Sequence, residues 1–143
     1  MSAQPFECTY VVHGRDFSNA GRVSTAIKET LKRLGVPPAV VRRVAIASYE
    51  AEMNVVMYAL RGRVLLRVRS HEVTLEVADE GPGIEDIGLA MQEGYSTATP
   101  EMREMGFGAG MGLPNIRKNS DDFAVESKVG AGTRLFIRVK QVA

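Results

Sequence analysis

Two pairs of short, alternating apolar segments constrain the fold of this chain more than any other feature. Residues 64–68 and 73–77 place apolar side chains at every second position on either side of a short polar turn. Residues 123–128 and 133–139 repeat this pattern around the sequence Val-Gly-Ala-Gly. Period-two alternation interrupted by turn residues is typical of β-hairpins, so the sequence predicts two antiparallel hairpins.

The residues before the first hairpin predict one strand and two helices. Residues 6–12 alternate as a strand does, and residues 20–34 carry apolar side chains at helical spacing up to Gly35. Asp16 or Ser18 is the expected N-cap of this first helix. A second helix is expected from the Pro-Pro pair at 37–38 to about residue 60, since proline suits a first helical turn. Its candidate core positions are Val41, Val44, Ala45, Ser48, Val55 and Ala59.

The order of these elements favours an α+β fold. Short helices are expected at residues 86–93 and 113–121, so the chain lacks the regular strand–helix alternation of a doubly wound fold. We predict a two-layer α/β sandwich, with a mixed, mainly antiparallel sheet and helices on one face. The whole chain, residues 1–143, is expected to form a single domain.

Composition excludes several classes of protein. The 18 Lys and Arg against 17 Asp and Glu give a formal charge of +1, which does not favour a nucleic-acid partner. No run of 18 apolar residues is present, so no membrane span is expected. The N-terminus lacks the pattern of a signal peptide. We therefore expect a soluble cytoplasmic protein.

Glu50 and Asn54 are the first candidate site residues. They lie four residues apart on the predicted second helix, so their side chains project from one face. A carboxylate at this position could deprotonate a hydroxyl group, and the amide oxygen beside it could bind Mg²⁺. Mg²⁺ takes oxygen ligands and keeps several waters in its coordination shell. The alternative is an ordinary exposed helix face.

A second candidate group follows the first hairpin. Asp79 ends a predicted strand and is followed by Gly81 and Gly83. A carboxylate at a pocket mouth can accept a hydrogen bond from an adenine amino group, and glycines let the base approach the main chain. A tight turn capped by Asp79 is an equally good interpretation.

A glycine-rich loop is the strongest single signal. Within residues 94–112, glycines alternate just before a predicted helix, and the N–H groups of such a loop and helix end bind phosphates. It is neither a Walker loop nor a dinucleotide-binding turn. A merely flexible loop is the alternative. The candidate binding residues here are Gly106, Gly108, Gly110, Met111, Gly112 and Leu113.

These three motifs, in this order, resemble the nucleotide site of the GHKL superfamily of ATPases, which includes gyrase, histidine kinases and MutL. The resemblance implies the histidine-kinase-like ATPase (Bergerat) fold and binding of ATP with Mg²⁺. It further implies that Glu50 is the catalytic base, that Asn54 holds Mg²⁺ and that Asp79 reads adenine. Thr133 matches a threonine at a strand start that often touches the adenine pocket in this superfamily.

Residues 48–54, 90–97 and 112–116, together with Tyr58, are most similar to bacterial anti-sigma and stressosome switch serine/threonine kinases. In these families the substrate is a STAS-domain antagonist, so the resemblance implies as partner a STAS-domain anti-anti-sigma or scaffold protein, or a sigma factor. The loop is longer than in the switch kinases, which leaves the role of Arg103 open. The first strand and the first helix are rich in Val and Leu and suggest a homodimer face, but the same residues would serve equally as core.

Two functions remain open from the sequence. The first is a protein kinase that transfers the γ-phosphoryl group of ATP to Ser or Thr. The second is an ATP-gated binding module that holds a sigma factor or scaffold with little turnover. Glu50 favours the kinase, because binding alone needs no base. A sensor histidine kinase is not expected, since His13 and His71 both lie near predicted strand ends.

Overall fold

The computed structural model describes residues 5–84, 87–92 and 112–141. Its strands are β1 (Phe6–His13), β2 (Arg61–Val68), β3 (Glu72–Glu80), β4 (Asp122–Lys128) and β5 (Gly132–Lys140). Its helices are α1 (Arg22–Arg33), α2 (Pro38–Tyr58), α3 (Ile87–Ala90) and α4 (Gly112–Lys118), and a 3-10 turn spans Phe17–Asn19. No helix within these residues is long and apolar enough to cross a membrane.

The described strands form one sheet in the order β1-β2-β3-β5-β4. Every neighbouring pair is antiparallel, so the expectation of a mixed sheet is wrong for the described residues. The reason lies in the second hairpin. β3 and β4 run in the same direction, but β5 lies between them and is antiparallel to both.

The core lies between the helices and one face of the sheet. Ile27 and Leu31 of α1 are fully buried, as is Leu66 of β2. On the strands, alternate positions such as Glu76 and Phe136 face solvent. Along β2, β3 and β5 this alternation buries one face of the strand and exposes the other to solvent, as expected of an antiparallel sheet covered on one side. The predicted α+β sandwich with helices on one face is thereby confirmed.

The start of α1 differs from the prediction. Its N-cap is Gly21, in the left-handed conformation with φ of 96°, rather than Asp16 or Ser18. Asp16 instead accepts hydrogen bonds from Ser18 and Asn19 within the 3-10 turn. The cap of α1 is supplied from α2, as described below, so no local capping side chain is needed.

The ends of α2 and its buried face were predicted in part. The helix ends at Tyr58, because Ala59 is already extended with ψ of 165°, and Leu60 is 80% exposed. Val41, Val44, Ser48, Val55 and Ala59 are buried as predicted, whereas Ala45 is only half-buried. α2 also buries residues outside the predicted stripe, including Glu52, because both α1 and the sheet pack against it.

Candidate nucleotide site

The face of α2 that carries Glu50 and Asn54 packs against α4. The Asn115 amide Nδ2 donates a hydrogen bond of 2.7 Å to Glu50 Oε2. One turn along α2, a β-carbon placed on Gly112 would lie 3.3 Å from Asn54 Oδ1. Gly112 thus lies opposite Asn54, and Asn115 lies opposite Glu50. The two helices therefore run in opposite directions, and the exposed-face interpretation of Glu50 and Asn54 is wrong: both are half-buried.

Gly112 and Leu113 have different surroundings at the start of α4. Gly112 lies against Asn54, so its lack of a side chain leaves the Asn54 oxygen room for a ligand. The Leu113 side chain is buried in the core. Any contact of Leu113 with a nucleotide would therefore have to use its main chain.

A second group of residues surrounds the end of β3. The Thr133 main-chain N–H donates a 3.1 Å hydrogen bond to Asp79 Oδ1. Burial raises the pKa of the Asp79 carboxyl, and the bond from Thr133 partly opposes this rise. Among the described residues, Asp79 accepts its side-chain hydrogen bond from Thr133, 54 positions away in sequence. This argues against a role of Asp79 confined to capping the turn that follows β3.

Glycines allow the main chain to close around Asp79. Gly132 has φ of 135°, and a β-carbon there would lie 2.1 Å from the Asp79 carbonyl oxygen. A β-carbon on Gly81 would lie 3.2 Å from Asp79 Oδ1, and one on Gly83 would lie 2.5 Å from the Lys128 carbonyl oxygen. The 2.1 and 2.5 Å approaches leave no room for a side chain at Gly132 and Gly83, so these two glycines let the start of β5 pack against the end of β3, and the loop after β3 pack against the end of β4.

Ser127 completes this second group. Its hydroxyl accepts a 2.7 Å hydrogen bond from the Ile84 N–H and pairs with Thr133 Oγ1 at 2.9 Å. It thereby ties the loop after Gly83 to β5. The Thr133 side chain is thus held by Ser127 while its main chain holds Asp79.

α2 sets the separation between the two groups. Gly81 packs against Ala59, directly after the end of α2, while Glu50 lies eight residues before Tyr58 on the same helix. At about 1.5 Å per residue this offset is roughly 12 Å along the helix axis. An extended nucleoside triphosphate can span such a length, with its base near Asp79 and its phosphates near Asn54 and Glu50.

Some predicted site residues lie outside the described part of the chain. These are Gly106, Gly108, Gly110 and Met111, together with Arg103, and their roles stay predictions. Within the described residues, no three His, Cys, Asp or Glu side chains form a group that could hold a metal ion. The residues present there fit Mg²⁺ that enters with phosphate oxygens and takes Asn54 as a single protein ligand.

Sequence reasoning missed two residues that the structure brings into these groups and one buried glutamate beside them. Asn115 and Ser127 contact predicted site residues from neighbouring elements. Glu52, which lies between Glu50 and Asn54 in sequence, is buried on another face of α2. Asn115 lies in the run 112–116 that carries the family resemblance, but its contact with Glu50, like the contacts of Ser127, depends on tertiary packing and has no signal in the sequence. For Glu52 the sequence carried a partial signal: a glutamate two residues from Glu50 on a helix points to a different face from Glu50.

Comparison with protein families decides the identity of the fold. The sequence model of one protein family, described as the histidine kinase-like ATPase domain, matches residues 16–139. The chain belongs to this family. This histidine kinase-like ATPase domain is therefore expected to use ATP, and the GHKL resemblance stated from its motifs is confirmed.

Curated relatives of this ATPase domain fall into two groups. The serine/threonine-protein kinase RsbT of Bacillus subtilis is 29% identical over 112 residues, covering 76% of this chain and 78% of that protein. The anti-sigma F factor of Clostridium acetobutylicum is 31% identical over 102 residues, covering 68% of each chain. The anti-sigma F factor of Caldanaerobacter subterraneus subsp. tengcongensis is 36% identical over 89 residues, covering 59% of each.

Proposed function

We propose that this domain is a protein serine/threonine kinase that transfers the γ-phosphoryl group of ATP to a Ser or Thr of a STAS-domain antagonist protein. The observation that carries the proposal is the Glu50 carboxylate, oriented by Asn115 and one helical turn from Asn54. Binding alone would not need a fixed carboxylate beside the phosphates. Similarity to a named serine/threonine kinase over three quarters of the chain supports it.

In the proposed step, the hydroxyl oxygen of the protein substrate forms a bond to the γ-phosphorus. The bond from that phosphorus to the bridging oxygen breaks, and ADP leaves with the electron pair. The hydroxyl proton passes to Glu50. Mg²⁺ held by Asn54 would neutralise phosphate charge as transfer proceeds. Asp79, with Thr133 behind it, would accept a hydrogen bond from the adenine amino group.

Substitution of Glu50 by Gln tests the proposal. Glutamine keeps the size and polarity of the side chain but cannot take the proton, so ATP affinity should stay near wild type. Transfer of labelled phosphate to STAS-domain proteins from the same organism should fall roughly a hundredfold. Glu76→Gln, which changes an exposed glutamate on the far face of the sheet, is the matched control and should transfer at the wild-type rate.

The ATP-gated binding module is the alternative, and the anti-sigma F factors among the relatives favour it. A gate of this kind would hold a sigma factor or scaffold only when ATP is bound. The Glu50→Gln variant of such a gate would keep its ATP-dependent affinity for the partner protein. Wild-type protein that binds its partner tightly with ATP but labels no STAS-domain protein would replace the kinase proposal with the gate.

A further inference from the structure

The side-chain amide of Asn115 is placed to control the orientation of the Glu50 carboxylate. Its Nδ2 atom lies 2.7 Å from Glu50 Oε2, and both side chains are half-buried. An ionised carboxylate can only accept hydrogen bonds, so the Asn115 amide must present its NH₂ group to it. The contact is therefore a charge-assisted hydrogen bond with a defined direction.

Asn115 is itself held firmly. Its neighbours Leu113 and Ile116 are buried in the core and fix α4 against α2. One turn later, Asn119 Nδ2 donates a 2.8 Å hydrogen bond to the Asn115 carbonyl oxygen. These contacts anchor α4 without the help of Glu50. The bond from Asn115 to Glu50 is thus not needed to attach the helix, and its effect falls on Glu50.

The bond leaves the two oxygens of the Glu50 carboxylate unequal. Oε2 accepts from Asn115, whereas Oε1 has no hydrogen-bond partner within residues 5–84, 87–92 and 112–141. A free glutamate side chain rotates about three single bonds, and a base must lie within hydrogen-bond reach of the proton it accepts. Engaging Oε2 restricts this rotation and reserves Oε1 for the substrate hydroxyl.

We propose that Asn115 is a positioning residue that fixes the Glu50 carboxylate by holding Oε2, so that Oε1 receives the substrate proton. The proposal rests on the kinase function proposed above for the role of Oε1. The orientation of the carboxylate by Asn115 is a property of the free protein. It is therefore open to measurement whether or not transfer occurs.

A double-mutant cycle tests the role in transfer. Asn115→Leu keeps the branched shape of the side chain and removes the donor, and it should lower kcat roughly ten- to hundredfold while the KM for ATP changes less than about twofold. Asn115→Gln keeps the amide and should recover part of the loss. In the Glu50→Gln background, Asn115→Leu should cost little more, because the group that it positions is already gone. Arg117→Gln, which changes an exposed side chain of the same helix, is the matched control.

Carbon-13 NMR of the Glu50 side-chain carboxyl, assigned with Glu50→Gln, tests the orientation directly in the free protein. This resonance should move in Asn115→Leu and stay in place in Arg117→Gln. An unmoved resonance, or a loss in transfer that is the same with and without Glu50, would overturn the proposal. If Asn115→Leu does not fold, Asn115→Ala removes the same donor without adding bulk. Wild-type protein that transfers no phosphate would count against the kinase alone, since the NMR result still decides whether Asn115 holds the carboxylate.

Discussion

At the scale of single residues, Asp79 carries a stability cost that its proposed function explains. The carboxylate is half-buried and receives one main-chain hydrogen bond, from Thr133, among the described residues. An ionised group in this position gives up part of its hydration. On binding, the adenine amino group would donate a hydrogen bond to the Asp79 carboxylate. The lost hydration that destabilises the free protein would then favour binding of adenine nucleotides.

Replacing Asp79 by Asn should weaken ATP binding by about 1.5–3 kcal/mol, roughly ten- to a hundredfold in Kd. The amide can present its NH₂ group where an acceptor is required, so the preference for ATP over GTP should also fall. Calorimetry with both nucleotides measures these changes. Asp122→Asn, at an exposed carboxylate of β4, should bind ATP as wild type does. Unchanged affinity in Asp79→Asn would remove this residue from the adenine contact.

The raised pKa of Asp79 also predicts a pH dependence of stability. Because the folded state binds this proton more tightly than the unfolded state, the favourable contribution is complete below the unfolded pKa. It is lost as pH rises through the higher, folded pKa. At neutral pH, Asp79→Asn should therefore melt at a higher temperature than wild type when no nucleotide is present. Thermal melts at decreasing pH should show this difference shrinking; a difference that grows towards acid would contradict the assignment.

At the scale of elements, Glu52 joins α2 to the start of α1. Its carboxylate accepts hydrogen bonds from the N–H groups of Gly21, Val23 and Ser24, at 2.9 to 3.2 Å. These are among the N–H groups that a helix start leaves unpaired, and negative charge is favoured at this end of a helix. α2 thus directs Glu50 and Asn54 to α4 and Glu52 to α1.

Glu52→Ala should lower the free energy of unfolding by about 2–4 kcal/mol, because three main-chain donors lose a charged acceptor in a buried setting. Chemical denaturation measures this loss. Glu29→Ala, at an exposed position of α1, should stay within about 0.5 kcal/mol of wild type. Equal, small effects of the two substitutions would show that solvent replaces Glu52 as the cap.

The elements and the candidate site residues could be predicted from the sequence, whereas the contacts between distant elements could not. Local periodicity predicted the described strands and the two long helices, because side-chain direction repeats within an element. The superfamily motifs nominated Glu50, Asn54, Asp79 and Thr133, and the structure places them in two groups joined by α2. The partners Asn115 and Ser127 escaped prediction because they meet those residues only after distant elements pack.

At the scale of the whole molecule, the proposed ligand should change global stability. Binding to the folded state adds about 2.7 kcal/mol at a ligand concentration of 100 Kd, which is roughly 5–15 °C in Tm for a domain of this size. ATP with Mg²⁺ should raise Tm in one cooperative transition, as expected if residues 1–143 form a single domain. In Asn54→Ala, the rise with ATP should no longer depend on Mg²⁺. Two separate melting transitions would contradict the prediction of a single domain. A full Mg²⁺ effect in Asn54→Ala would show that Asn54 is not the metal ligand.

The placement of β5 has a consequence for the protein during its own synthesis. β5 is the last described strand in the chain, yet it pairs with β3 in the interior of the sheet and brings Gly132 and Thr133 to Asp79. A nascent chain that has emerged only through β4 leaves one edge of β3 unpaired and the adenine side of the site incomplete. Nascent chains in which β5 has not yet emerged should therefore be unable to bind nucleotide. The proposed adenine side of the site becomes complete only when β5 pairs with β3.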